Sequence, residues 1–313
     1  MNTITKYPLV SIIIRTMNRP ELLSRAIDSV YSQTYPNIEI VVVNDGGEDV
    51  SSVTDHYNNL EISDNIIRNI KYIVNKSHKY RAGSGNVGIR ASGGEYIGFL
   101  DDDDYYFANH VSEHIESQEK NKSHVSISMA TESIEKKVNN KYVSKQKNFY
   151  FPEKINRISL LFFENYFPFN SIIFRKDITK KIGFLDEERF VLEDWDFIIR
   201  IFLNYEPSFV KEITCEFTSR GNATNIRNNF EYQDVWKENF LATIEKYRKV
   251  YKKSEVSIPI SEVSGFLSTH AAEWYQTSIS WRIIRDSYLY RIFNSKPYSK
   301  MKKVGRIFGL TRG

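Results

Sequence analysis

Apolar and polar positions alternate in blocks along the first hundred residues. Leu9-Val10-Ser11-Ile12-Ile13-Ile14 is a short, nearly continuous apolar run of the kind that forms a strand buried on both faces. Asn18 stands where a helix can be capped, with Pro20 in the first turn and the helix running to about Ser32. Ile38 to Val43 repeats the strand pattern and breaks at Asn44-Asp45-Gly46-Gly47. A helix around Val50 to Leu60, a strand at Ile70 to Val74, a short helix from Ser84 to Ala91 and a strand at Tyr96 to Leu100 continue the alternation. Strands alternating with helices predict an α/β fold with a parallel sheet. In such sheets ligands collect at the carboxyl ends of strands, so the turns after Ile14, Val43 and Leu100 are expected to share one binding edge.

Beyond this point the pattern changes. Val125 to Phe151 is more polar and strand-like, with Asn139-Asn140 as a hairpin turn, and Ser171 to Phe174 offers another apolar strand. Phe197, Ile198, Ile201 and Phe202 recur at helical spacing within Glu193 to Asn204, with Glu193-Asp194 at the amino end. A last strand follows near Phe209 to Phe217. The remainder predicts helices at Phe230 to Tyr251, Ser261 to Tyr275 and Ser278 to Asn294, and a short one after Pro297.

Composition narrows the class. A chain of 313 residues, 41% hydrophobic and 26% charged, is ordinary for a soluble protein with a sizeable core. Cys215 is the only cysteine, which rules out an intramolecular disulfide and suits a reducing, cytoplasmic setting. Met1 to Pro8 has no apolar core behind a basic start, and no apolar run reaches about 18 residues, so neither a signal peptide nor a membrane span is expected. The net charge is +4, yet from Arg282 onward nine Lys/Arg face the single acid Asp286, so the basic character belongs to the tail. Its mixture of cations with Trp281, Tyr288, Tyr290, Phe293 and Phe308 suits peripheral contact with the inner face of an anionic membrane. The same helices could equally pack on the rest of the chain or on another subunit. Nucleic acid is not an expected partner, because basic residues do not recur over the body of the chain.

The strongest chemical signal is Asp101-Asp102-Asp103-Asp104, directly after Tyr96-Ile97-Gly98-Phe99-Leu100. Repelling carboxylates at the end of a buried strand are relieved by a hard cation bound through oxygen. The alternative is a solvated loop in which Asp104 or Asn109 starts the following helix. Gly83-Ser84-Gly85-Asn86-Val87-Gly88 has the letter pattern of a dinucleotide fingerprint, but polar Asn75 to Tyr80 separates it from its strand. Its glycines fit better as the means for a helix to pack close to the sheet, with Arg81 and Ser84 facing a phosphate at that helix's positive end.

Four segments in order resemble the inverting nucleotide-sugar glycosyltransferases of family 2, which have the GT-A fold. Val10 to Pro20 resembles that family's opening strand, Ile40 to Gly47 its second strand with a nucleotide-contacting aspartate, and Glu95 to Asp104 its metal-binding DXD segment. Gly183-Phe184-Leu185-Asp186-Glu187 through Glu193-Asp194-Trp195-Asp196 is similar to its later GxFDE … ED region, and the resemblance spans about Pro8 to Arg220. Two positions depart from the pattern: Arg15 stands where proline is usual, and Asn44 where aspartate is frequent.

The resemblance implies a Rossmann-like, mixed but mainly parallel sheet flanked by helices, in a catalytic domain over 1–225. Residues 1–104 would form its nucleotide-binding half, 105–225 its acceptor half, and 226–313 a C-terminal helical appendage. It implies transfer of a sugar from a nucleotide-sugar donor, with UDP the family's usual base carrier, to a glycan or lipid-linked saccharide acceptor, as in surface polysaccharide synthesis. Mn²⁺ or Mg²⁺ would be held by Asp103 and Asp101, and the nucleotide by Thr16, Asn18, Arg19, Asp45, Arg81, Ser84, Asp101 and Asp102. Asp194, with Glu193 as the second choice, would take the proton of the acceptor hydroxyl. Arg220, with Asn222 and Thr224, would close over the diphosphate. Two rival readings are a sugar-phosphate nucleotidylyltransferase, whose Gly-rich basic loop after the first strand is missing from Arg15 to Pro20, and an inactive nucleotide-sugar-binding module.

Overall fold

A computed structural model describes residues 7–60, 66–138, 141–148, 167–220, 235, 238–243 and 245–247, with backbone alone at 136–138, 141–148 and 220. All of them fall within Met1–Arg248. The helices expected beyond residue 251, the basic aromatic tail, Asn139-Asn140, Asn222 and Thr224 lie outside the described residues.

Four parallel strands, β1 (Val10–Thr16), β2 (Asn37–Asn44), β3 (Ile67–Val74) and β4 (Tyr96–Asp101), lie in the order β3-β2-β1-β4. Helices α1 (Pro20–Tyr31), α2 (Ser51–Asn58) and α3 (Tyr80–Ala91) connect them. The continuous apolar runs have a direct cause: β1 is covered on both faces. Ile12 and Ile14 pack with Leu23, Ile27 and Val30 of α1, while Ile13 packs with Val41, Val43 and Ile89 on the opposite face. Each such side chain contributes roughly 1.5–3 kcal/mol through burial. Gly88 lets α3 approach this second face, since a Cβ there would overlap the Ile13 side chain.

After β4 come β5 (Tyr105–Tyr106), α4 (His110–Asn121), β6 (Val125–Val138), β7 (Lys141–Asn148), β8 (Ile172–Arg175), α5 (Glu193–Asn204) and β9 (Ser208–Arg220). The sheet continues from β4 as β8-β6-β9-β5, with β7 paired on β6. β8 runs antiparallel to both β4 and β6, whereas β6 and β9 pair in parallel across an irregularity at Met129. The result is a mixed α/β sheet flanked by helices. Residues 238–243 and 245–247 are helical and lie against α5, with the rings of Trp195 and Phe240 stacked at 5.1 Å.

Three local expectations need correction. Asn18 does not cap α1: it sits at φ +58, Arg19 is the N-cap residue, and the Asn18 side-chain oxygen instead accepts the Glu48 amide at 2.7 Å. Helix α3 begins at Tyr80 rather than Ser84, its entry turned by Tyr80 itself at φ +58. Asp104 does not start the next helix. β5 intervenes, Asn109 is the N-cap residue of α4, and the buried Asp104 carboxylate accepts the Thr218 amide at 2.9 Å and Asn170 Nδ2 at 3.1 Å. Asp104 thereby pins the end of β4 to β9.

Candidate active site

The turns at the carboxyl ends of β1, β2 and β4 come together as the alternation requires. Asp45 N donates to the Thr16 carbonyl at 2.9 Å, and Asn75 N donates to the Asn44 carbonyl at 2.9 Å, so the first three turns are stitched side by side. Asn44 organises its own turn: Oδ1 accepts from Gly47 N, and Nδ2 donates to the Glu48 carbonyl and to Tyr72 Oη. Gly46 occupies φ +79 in that turn, a conformation that favours glycine. Three of the four non-glycine residues with positive φ among the described residues, Asn18, Tyr80 and Leu192, lead into this edge. Such conformations cost of order 1–3 kcal/mol each and tend to collect at functional sites.

Asp45 is buried and fully engaged. Its Oδ1 accepts Asn75 Nδ2 at 2.9 Å and Lys79 N at 2.8 Å, and its Oδ2 meets His78 Nδ1 at 2.7 Å. Ser84 is buried beside this group, its hydroxyl accepting Asn75 Nδ2 at 3.0 Å. Arg81 is exposed in the first turn of α3. Around Asp45 the ring of Tyr80 is flanked by His78 at 4.3 Å and Phe190 at 5.2 Å, and Met17 is exposed nearby in sequence from Thr16.

The aspartate tetrad alternates. Asp101 and Asp103 keep 32% and 23% of their side chains exposed, while Asp102 and Asp104 are buried. Thr16 Oγ1 donates to Asp102 Oδ2 at 2.7 Å, and Arg19 pairs with Asp102 at 2.5 Å and Asp103 at 3.2 Å. Arg25 donates to the Asp103 carbonyl at 2.6 Å and pairs with the buried Glu135 at 2.7 Å. Burial, reinforced by the neighbouring Asp103 and Asp101, raises the Asp102 carboxyl to about 7 against the pull of Arg19. Asp101 behaves oppositely: burial acts to raise it, but Arg15, Arg81 and Arg19 together hold it below the ordinary value.

Arg15, the residue standing in place of proline, joins the two ends of the site. Its guanidinium is 8% exposed and meets Asp101 Oδ1 at 2.6 Å, the Arg81 carbonyl at 3.1 Å and Glu193 Oε1 at 3.3 Å, with Phe99 and Phe169 beside it at 5.6 and 6.0 Å. Glu193 and Asp194 open α5 after Leu192, which is at φ +63. Asp194 accepts its neighbour's amide, Trp195 N, at 2.8 Å. Burial and then the charge of Glu193 push its carboxyl up to about 6, with Arg81 and Arg15 pulling the other way. Asp196, three residues past Glu193, is a structural anchor facing elsewhere: it accepts from Arg200 Nε, Lys246 Nζ and Tyr247 Oη at 2.7–2.8 Å. Asn86 ties α3 to this region by exchanging two bonds with the Leu185 backbone at 2.9 Å and donating to Glu187 at 2.7 Å.

Arg25, Glu135, His78 and Asn75 also contact these residues, although nothing in the sequence pointed to them. None carries a local motif. Only the departure at Arg15 signalled a residue with a role of its own. Arg220 ends β9 with its side chain undescribed.

The outward carboxylates Asp101 and Asp103 are hard oxygen donors of the kind Mg²⁺ and Mn²⁺ take. No group of three or more His, Cys, Asp or Glu side chains among the described residues is gathered around a common metal position. No helix among the described residues is long and apolar enough to cross a membrane.

Comparison with known proteins agrees with this geometry. The chain is 29% identical over 269 residues to the uncharacterized glycosyltransferase RP339 of Rickettsia prowazekii, covering 83% of this chain and 80% of that one. Its fold is similar to that of TarS 1–349 of S. aureus, crystallised with UDP-GlcNAc, at a TM-score of 0.54 and 19% identity over 74% of this chain and 65% of that chain. It is also similar to the mannosyltransferase PcManGT of Pyrobaculum calidifontis, solved with GDP-Man and Mn²⁺, at a TM-score of 0.54 and 13% identity over 95% and 84%. Residues 11–183, which carry β1, the Asp45 turn and the aspartate tetrad, match the family described as Glycosyl transferase family 2. With the match covering more than half of its length, the chain belongs to glycosyl transferase family 2 and is a glycosyltransferase of GT-A fold.

Proposed function

We propose that this glycosyltransferase moves a sugar from a nucleotide-sugar donor, a UDP-sugar in the first instance, to a hydroxyl of a glycan or lipid-linked saccharide, with inversion and with a divalent cation. The observation that carries the proposal is the two-ended carboxylate site: Asp101 and Asp103 at one end, Glu193 and Asp194 at the other, with the Arg15 guanidinium touching Asp101 and Glu193. Transfer breaks the bond between the anomeric carbon and a phosphate oxygen, and a Mg²⁺ or Mn²⁺ held by Asp103 and Asp101 would neutralise charge on the departing diphosphate.

The chain's own groups account for the remainder. Thr16 holds Asp102 behind the outward carboxylates. The Asp45 turn, locked by Asn75 and Lys79 N, offers a rigid wall for the base. Asp194, raised to about 6 by burial and by Glu193, is ionised at neutral pH yet basic enough to take a hydroxyl proton. Glu193 meets Arg15 at 3.3 Å, and Asp194 beside it is the residue assigned here as the base. The donors seen with TarS and PcManGT, UDP-GlcNAc and GDP-Man, support a nucleotide-sugar substrate without choosing its base.

Thermal-shift measurements against UDP-, GDP- and dTDP-sugars with Mn²⁺ test the reading, because a ligand bound to the native state raises the melting temperature. One nucleotide class is expected to raise it in the presence of Mn²⁺ and not with EDTA. No shift with any of the three would remove the proposal.

A further inference from the structure

The cation site at the end of β4 is already filled by the protein's own cations. Arg15 takes Asp101, and Arg19 takes Asp102 and Asp103. Arg19 occupies Asp102 Oδ1 and Asp103 Oδ2, whereas Arg15 occupies only Oδ1 of Asp101, so a divalent ion that draws in Asp103 Oδ2 or Asp102 Oδ1 has to displace the Arg19 guanidinium.

The two arginines differ in how firmly they are placed. Arg15 is buried, and beyond Asp101 it is held by Glu193, the Arg81 carbonyl and the rings of Phe99 and Phe169. Arg19 has 36% of its side chain exposed, and its ion pairs among the described residues are those with Asp102 and Asp103. It is also the N-cap residue of α1, where the positive end of the helix disfavours a cation. Among the described residues the aspartates are its counter-ions, and they offset that cost for as long as they are not taken by another cation. Arg15 is built in; Arg19 is exchangeable.

We infer that Arg19 is a resident counter-ion of the acidic tetrad, displaced from Asp103 and Asp102 when a divalent cation binds, and that the released guanidinium then binds the diphosphate of the donor. The released side chain stays tethered at the mouth of the cleft, and a planar guanidinium matches phosphate oxygens in pairs. The metal and the diphosphate therefore bind cooperatively: the ion frees the arginine, and the arginine holds the anion. A tetrad neutralised in this way is also stable without metal, which an uncompensated block of buried carboxylates would not be.

The inference rests on reading the tetrad as the metal end of a donor site. Its test needs no sugar. Mn²⁺ binding is read from the electron paramagnetic resonance of the free ion, and inorganic pyrophosphate binding is read by calorimetry at saturating Mn²⁺. Arg19→Gln is expected to bind Mn²⁺ alone about tenfold more tightly than wild type, and pyrophosphate about tenfold more weakly. Opposite signs from one substitution separate the effect from misfolding, which would weaken both. Arg81→Gln removes an equal charge from the same cleft, and Arg81 has no ion pair to Asp102 or Asp103 among the described residues. It is expected to raise Mn²⁺ affinity by about threefold or less.

Equal Mn²⁺ gains in Arg19→Gln and Arg81→Gln would reduce the effect to general electrostatics and overturn the inference. So would a gain that survives Asp103→Asn in the Arg19→Gln background. Mn²⁺ bound through Asp103 with the same affinity in wild type and Arg19→Gln would remove the inference and leave the proposed function standing. No Mn²⁺ bound by any variant, even with pyrophosphate, would remove both.

Discussion

Two sets of buried carboxylates lie at opposite ends of the same parallel strands. At the amino end, Glu39 accepts from Ser11 Oγ at 2.5 Å, from the amides of Gly93 and Gly94, and from Lys71 Nζ at 2.7 Å. Burial works to raise its carboxyl, but these donors outweigh burial and hold it below the ordinary range. At the carboxyl end Asp102 is pushed up by burial with Asp103 and Asp101 beside it, and Asp194 by burial with Glu193 beside it. The fold could have satisfied both sets in the same way. It satisfies Glu39 with neutral amides and one lysine, a finished anchor, and leaves the other set crowded, balanced by arginines and poised to gain from an added cation. On the proposed function, the difference separates a carboxylate that holds the sheet together from carboxylates that do chemistry.

Substitutions that keep shape and remove charge should split the two ends cleanly. The largest effect belongs to the carboxyl end: Asp194→Asn and Asp103→Ala are each expected to lower kcat on the order of 10³-fold, measured as transfer or as donor hydrolysis. In wild type, transfer should rise with pH through about 6 as Asp194 ionises, and that rise should be missing in Asp194→Asn. Because Asp194→Asn relieves crowding, its melting temperature should equal or exceed that of wild type.

Arg15 belongs to both stability and chemistry. Arg15→Met strands Glu193 without its partner and should cost about 3 kcal/mol in urea denaturation. Smaller still, Glu39→Gln should cost about 1–2 kcal/mol while leaving kcat unchanged, which is the reverse of Asp194→Asn.

The smallest effect lies in α4. His110 and His114 are fully buried, each bonded through Nδ1 to a hydroxyl, Thr214 and Ser126, at 2.7 Å. Burial pushes His110 well below the usual imidazole value and His114 to about 3. The unfolded chain takes up protons below about 6.5, whereas the folded histidines remain neutral, so stability falls as pH drops through that value. Between pH 7.5 and 5.5, wild type should lose about 1 kcal/mol more than His114→Gln.

How much of this was legible follows from what each feature depends on. Strands β1, β2 and β4 were readable because burial on both faces leaves an unbroken apolar run, and the tetrad was readable because it interrupts one. The pairing of charges was not. Arg19 with Asp102, Asp104 with Thr218, and Arg15 with Glu193 are separated by most of the fold, and no periodicity encodes which cation meets which anion. Tyr80 and Asn18 misled the helix starts for a related reason: both occupy positive φ without being glycine, a conformation imposed by tertiary contacts. Glu39 was invisible because a buried carboxylate inside Asn37–Asn44 looks, in sequence, like the polar member of an alternating strand.

On the proposed function the crowded carboxyl end, and not the finished amino end, performs the reaction. Release of nucleoside diphosphate from the donor that stabilises the protein, followed with Mn²⁺ or EDTA in wild type, Asp103→Ala, Asp194→Asn and Glu39→Gln, tests it directly. Release is expected from wild type and Glu39→Gln with Mn²⁺, with near-complete loss in the two aspartate variants and none with EDTA. Equal rates in Asp103→Ala and wild type, or a rate untouched by EDTA, would contradict it.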